Sequence, residues 1–106
     1  MQTALPLELA QIDVLPSMEE AFCRELSELL PLIAAAEGCH GVAAYRSVEH
    51  PRRFRLMVNW SSIEDHIAFR STEAVQRIRS VIGRYVQSRA ETEHLLQIAT
   101  VRASQP

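Results

Sequence analysis

An α+β fold follows from three features of the sequence. Segments that alternate apolar and polar residues are interleaved with segments whose apolar residues recur every three or four positions, which separates strand candidates from helix candidates. A Pro-containing connection of hairpin length joins the two middle strand candidates. The resulting order is strand, helix, strand, strand, helix, strand. It predicts a four-stranded antiparallel sheet with its helices on one face, a ferredoxin-like βαββαβ arrangement.

The first strand is read from Leu5 to Leu15. Leu7, Leu9 and Gln11 point one way and Ala10, Ile12 and Val14 the other, so it has apolar character on both sides. Pro16 and Ser17 stop it, and Ser17 with Glu20 makes an S-x-x-E pair that predicts a capped helix start. Met18, Phe22, Leu26, Leu29 and Ile33 then recur at helical spacing. Pro31 lies within this run and has no N–H for the carbonyl of Ser27, which predicts a kink or a restart. Gly38 is the C-cap candidate. Residues 40–48 (HGVAAYRSV) and 53–60 (RFRLMVNW) form the hairpin around Pro51. In the second of these, Phe54, Leu56, Val58 and Trp60 share one face, and Arg53, Arg55, Met57 and Asn59 the other. A short helix over about Ile63–Arg70 is capped by Ser62, with Ser61 and Glu64 as a competing box. A second helix after Thr72 carries Val75, Ile78, Ile82 and Tyr85. The last strand runs from about Glu93 to Val101, with Leu95, Ala99 and Val101 on one face and Leu96 and Ile98 on the other. Residues 103–106 are expected to fray.

The chain reads as one domain, 1–106, with its core from about residue 5 to 101. A lone sheet with helices on one side keeps its other face polar. Here the first, second and last strands are apolar on both sides, and in the second Val42 and Ala44 oppose Ala43 and Tyr45. An uncovered face of that kind marks association. A homodimer is therefore expected, its sheets packed together around an enclosed hollow. Net charge is −2 with no block of like charges, and all 11 bases are Arg, so no basic stripe points to nucleic acid. Cys23 and Cys39 do not make a disulfide framework, and no signal-peptide pattern opens the chain, so a reducing cytoplasmic setting is expected. The longest apolar run, Leu29 to Ala36, contains Pro31 and is far short of the ~20 residues of a membrane span.

Three stretches taken together, EGCHGVAAYRS (37–47), HPRRFRLMVNW (50–60) and SSIEDHIAFRS (61–71), resemble the antibiotic biosynthesis monooxygenase-like (ABM) family of dimeric α+β barrels. The resemblance rests on the Glu37-Gly38-Cys39 turn, on Pro51, on Phe54, Leu56 and Trp60, and on Glu64, His66 and Ser71, in that order over nearly the whole chain. It implies a homodimer and chemistry without metal or other cofactor. Relatives include cofactor-independent oxygenases of quinols and anthrones, haem-degrading enzymes and isomerase-like members. Two positions depart from the family pattern: Phe69 stands where many relatives have a second His, and Val58 where Glu is common. Haem-degrading members also use an Asn on the first strand, and Asn59 is the only Asn here.

Oxygen insertion without a cofactor needs a substrate that can itself reduce dioxygen, and phenols and enols do so best as anions. The protein must then supply a base, donors for the anion, and a dry cavity. His66 is the candidate acid–base group, since the helical arc of Ile63, His66, Ile67, Phe69 and Arg70 turns it inward. Arg70 is the candidate anion partner. Trp60 either lines the cavity or anchors the strand end in the core. Asn59 and Tyr45 are further substrate-contact candidates, although Asn59 and Trp60 point to opposite faces. The four His (40, 50, 66, 94) show no i,i+3 or i,i+4 pairing, so no metal site is expected. The expected function is cofactor-independent monooxygenation of a small aromatic or quinol-type substrate. The alternatives are a non-catalytic dimeric barrel that binds a small hydrophobic ligand in a stress or regulatory role, and an isomerase acting on a small enol or keto acid.

Overall fold

A computed structural model describes residues 4–104. The chain runs β1 (Leu7–Asp13), α1 (Glu19–Ala34), β2 (Cys39–Arg46), β3 (Arg53–Trp60), α2 (Ile63–Phe69), α3 (Glu73–Gly83) and β4 (Glu91–Leu95). The strands form one antiparallel sheet in the order β2-β3-β1-β4. This is the ferredoxin-like α+β fold that the element order predicted, with the second helical region divided into α2 and α3.

Side-chain alternation decides what the helices cover. Phe54, Leu56, Val58 and Trp60 of β3 share the helix side with Ala10 and Ile12 of β1, and none is more than 6% exposed. From α1 come Phe22, Leu26, Leu29 and Ile33, and from α3 come Val75 and Ile78. The other face is mixed. Leu7, Leu9, Ala43 and Met57 are half-buried there, among Gln11, Arg55 and the exposed Asn59, Glu91 and Glu93.

Three helix-end expectations change. Ser17 does not cap α1: it adopts φ 71°, and the residue before the helix, Met18, makes no side-chain cap. The turn is closed by the backbone instead, Met18 N–H donating to the Leu15 carbonyl at 3.3 Å, while Glu19 and Glu20 place negative charge at the positive end of the helix. Pro31 does not break α1. It sits in the last turn on an exposed position, so only the exposed Ser27 residue loses a donor, and Ala35 N–H still donates to the Pro31 carbonyl at 3.1 Å. The helix ends at Ala35 rather than at Gly38, which lies in the turn into β2 with φ +83°. The starts of the two later helices are as expected: Ser62 Oγ accepts from Asp65 N–H at 3.1 Å, and Thr72 Oγ1 from Val75 N–H at 3.3 Å.

The last strand is earlier and shorter than the sequence suggests, Glu91–Leu95 instead of Glu93–Val101. Among the described strands its neighbour is β1, and Leu95 pairs with Leu7, the first residue of that strand. Pro6 comes next and has no N–H to continue a ladder. Beyond Leu95 none of the described residues pairs with the chain, and Leu96, Ile98 and Val101 are 61%, 98% and 94% exposed. The tail expected to fray, 103–106, lies partly outside the described residues.

Candidate functional site

The first determinant is the placement of α2. A Cβ at Gly38 would run into the Asp65 side chain, so only a glycine with φ +83° lets α2 lie this close to the start of β2. Ser61 N–H donates to the Gly38 carbonyl at 2.7 Å and fixes the approach. The short helix then presents His66 and Phe69 to the core. Ile63 and Ile67, expected to face inward, are 39% and 52% exposed, while Asp65 is half-buried.

His66 meets three residues brought from elsewhere in the chain. Its ring stacks on Trp60, with centroids 5.3 Å apart and planes 17° from parallel. Its Nε2 is 3.2 Å from Oε1 of Glu8, and its Nδ1 is 2.7 Å from Nε2 of His94. Trp60 donates its indole N–H to the same Glu8 Oε1 at 2.9 Å. Glu8 and His94 are direct partners across the β1–β4 ladder, and Glu8 faces Val58 across β1–β3. The sheet register therefore builds the cluster, and α2 caps it.

His66 Nδ1 and His94 Nε2 share one hydrogen bond, whose donor depends on the tautomers of the two rings, while His66 Nε2 lies against Glu8 Oε1 as a close polar contact. Oε1 accepts from the Trp60 indole N–H, and Oε2 accepts from none of the described residues. Burial pushes the Glu8 carboxyl above its ordinary value, partly offset by the Trp60 hydrogen bond and by the charges of His94 and Arg70. Burial, then the positive charge of Arg70 and of His94, pushes His66 down to about 4. His66 is accordingly a neutral ring near pH 7, hydrogen-bonded to His94 and in close contact with Glu8. The cluster is not shaped for a metal, because His66 turns one nitrogen to Glu8 and the other to His94. The three side chains direct their nitrogens and oxygen at one another rather than at a common point.

Glu8 and His66 stand at one end of a cleft of about 870 Å³, within the usual range for small-molecule sites. Leu56, Val58, Ala10 and Ile12 make its floor, and Val75, Arg79 and Ile82 of α3 one wall. The segment 86–90 closes it, held by Leu15 N–H donating to the Tyr85 carbonyl at 2.7 Å. The cleft lies on the helix side of the sheet within one chain, not between two sheets as the hollow expected from the sequence would.

The structure sorts the sequence candidates. His66 and Arg70 are on the cleft wall; Trp60 is fully buried behind it, between His66 and Phe69. Asn59 and Tyr45 are on the opposite face of the sheet, both exposed, because odd-numbered residues of β3 and their β2 partners point away from the helices. They are not brought to the cleft. Glu8 and His94 were not candidates. Glu8 carried a signal, a carboxylate sharing the parity of Ala10, Ile12 and Val14; His94 carried none, because its role depends on the strand register.

An αβ-sandwich domain with a buried carboxylate–imidazole network opening on an apolar cleft is thus the class of protein that fold and site define. The chain belongs to the antibiotic biosynthesis monooxygenase (ABM) family, whose profile matches residues 7–81. A candidate antibiotic biosynthesis monooxygenase from Bordetella bronchiseptica is 32% identical and superimposes with a TM-score of 0.85, over 91% of this chain and 99% of that one. A Pseudomonas aeruginosa protein at 23% identity shares the fold with a TM-score of 0.76, over 93% of this chain and 100% of its own. Among curated proteins, the uncharacterized protein YczJ of Bacillus subtilis strain 168 is 22% identical over 92 residues, covering 86% of this chain and 97% of YczJ. No helix of the described residues is long and apolar enough to cross a membrane.

Proposed function

We propose that the protein is a cofactor-independent monooxygenase of a small aromatic, quinol-type or anthrone-type substrate, with Glu8 as the proton acceptor. The observation that carries this reading is the buried Glu8–His66–Trp60 contact at the inner end of an apolar cleft. A carboxyl raised by burial is a better base near neutral pH than an ordinary one. His66 at about 4 is a poor base, and its Nδ1 is hydrogen-bonded to His94, so its part is to pack against Glu8 and Trp60 and keep water from that side of the carboxyl. Oε2 then takes the substrate proton. The anion, with Arg70 beside it, transfers electron density to dioxygen and forms a carbon–oxygen bond. The resulting hydroperoxide loses water and leaves a carbonyl. A ring carbon that begins with two hydrogens supplies both to that water, so no external reductant enters.

A second copy of the chain is proposed to cover the open sheet face and to pair with residues 96–101, where Leu96, Ile98 and Val101 are exposed. Oxygen-electrode traces with anthrone and reduced naphthoquinones test the activity. Wild type is expected to consume one dioxygen per anthrone, and Glu8→Gln to be slower by about 10²-fold or more. A Glu8→Gln protein as fast as wild type would remove the base assignment. No uptake by wild type with either compound would leave a binding protein in place of an enzyme.

A further inference from the structure

The cleft has a charge pattern that the proposed oxygen chemistry does not account for. The chain carries a net charge of −2, yet the charged residues lining the cleft are three arginines, Arg70, Arg79 and Arg89, and one acid, Glu8. Glu8 is held by Trp60 and His66, and His66, at about 4, adds no charge near pH 7. None of the three guanidinium groups makes an ion pair or a side-chain hydrogen bond among the described residues; the arginines that do are Arg46, Arg53 and Arg84. The local sign is therefore opposite to that of the whole molecule. A concave, low-dielectric surface concentrates such a field on whatever enters.

The three cations are not equivalent. Arg70 ends α2 beside the Glu8–His66 pair, and its charge is felt by both. Arg79 is on the face of α3 that also presents Val75 and Ile82, four and three residues away, so it rises from an apolar wall. Arg89 belongs to the closing segment. One cation thus belongs to the proton-transfer end and two to other walls of the same cleft. A neutral phenol would leave Arg79 and Arg89 without an anionic partner.

We propose that the ligand of this cleft is an aromatic carboxylic acid: a ring system with its ionisable hydroxyl or enolisable carbon at Glu8 and Arg70, and a carboxylate held by Arg79 and Arg89. Planar guanidinium groups bind a carboxylate through paired hydrogen bonds, which favours an acid over an alcohol or amide of the same shape. The inference rests on the proposed use of the cleft but not on turnover, so binding alone tests it.

The probes are 6-hydroxy-2-naphthoate and 2-naphthol, titrated into full-length protein by calorimetry. The acid is expected to bind about tenfold more tightly or better, a difference of about 1.4 kcal/mol. That preference should shrink as salt rises from about 20 mM to about 500 mM. In the double variant Arg79→Gln, Arg89→Gln the preference should vanish while 2-naphthol binds as before; both positions are exposed, so the variant folds. Equal affinity for the two probes, an acid preference that survives the double variant, or failure of 6-hydroxy-2-naphthoate to bind at millimolar concentration each overturns the proposal. Acid preference without oxygen uptake would keep this inference and end the monooxygenase reading; oxygen uptake with no acid preference would do the reverse.

Discussion

The two ends of β3 are built on the same plan and filled with opposite chemistry. At the Phe54 end, Ile12, Val14, Phe22, Leu26 and Phe54 form a hydrocarbon cluster. Phe22 packs edge-on against Phe54 at 4.8 Å and against Tyr85 at 5.5 Å. At the Trp60 end the aromatic partner is an imidazole, and the space that a Leu or Met would close holds a carboxylate. Burying a carboxylate is costly unless it is fully paired and hydrogen-bonded, and buried charged groups replaced by hydrocarbon of similar volume are often as stable or more so. One end is therefore arranged for stability. The other accepts a less stable arrangement to hold a carboxyl whose pKa is shifted and whose second oxygen is available to a ligand.

This contrast can be broken at its sealed end first. Phe22→Ala opens a cavity beneath two aromatic rings and is expected to lower unfolding free energy by about 3–5 kcal/mol, read from urea denaturation. A loss below about 1 kcal/mol would mean that this end is not closely packed.

The polar end makes a pH prediction. His66 is held at about 4 against 6.5, so between those values the unfolded chain binds a proton that the folded chain refuses. Its contribution makes stability fall as pH drops through that window, by up to about 3 kcal/mol. Glu8 acts in the opposite sense. Its pKa is raised above 4.5, so the stability tied to its protonated form is present below about 4.5 and is lost as pH rises through the folded value. The two partly cancel in wild type. In Glu8→Gln the offset is gone, and the loss of stability between about pH 7 and about pH 4.5 should be steeper. Superimposable profiles of the two proteins would show that the carboxyl and the ring do not share one environment.

The smallest expected effect sharpens the comparison. Trp60→Phe keeps an aromatic ring in the core but removes the N–H that Glu8 accepts. The cost should be about 1–3 kcal/mol. The Glu8 carboxyl should also titrate higher, since that hydrogen bond lowers its pKa; carbon-13 NMR of the carboxyl reads the change. A stability loss with no movement of that titration would make Trp60 a packing residue only.

What could be read from the chain was set by local rules. Alternation in RFRLMVNW placed Phe54, Leu56, Val58 and Trp60 on the core face, and Ser62 and Thr72 marked helix starts that the backbone uses. The misreadings share one cause, which is that a neighbour decided. Ser17 lost its capping role to a backbone turn. β4 stopped where β1 offered no further residue to pair with. α2 sets Asp65 against Gly38, where a Cβ would not fit, and leaves Ile63 and Ile67 largely outside the core.

By itself, then, the sequence determined the element order, the sheet and its buried side, because periodicity and hydrophobic burial act over a few residues at a time. Only the tertiary structure decided the site. Glu8, Trp60, His66 and His94 are separated by up to 86 positions (94 minus 8), and no spacing rule connects them. The register of β1 against β3 and β4 and the docking of α2 bring them within hydrogen-bond distance. Hydrogen bonds and desolvation act over a few ångströms of space, whatever the separation along the chain.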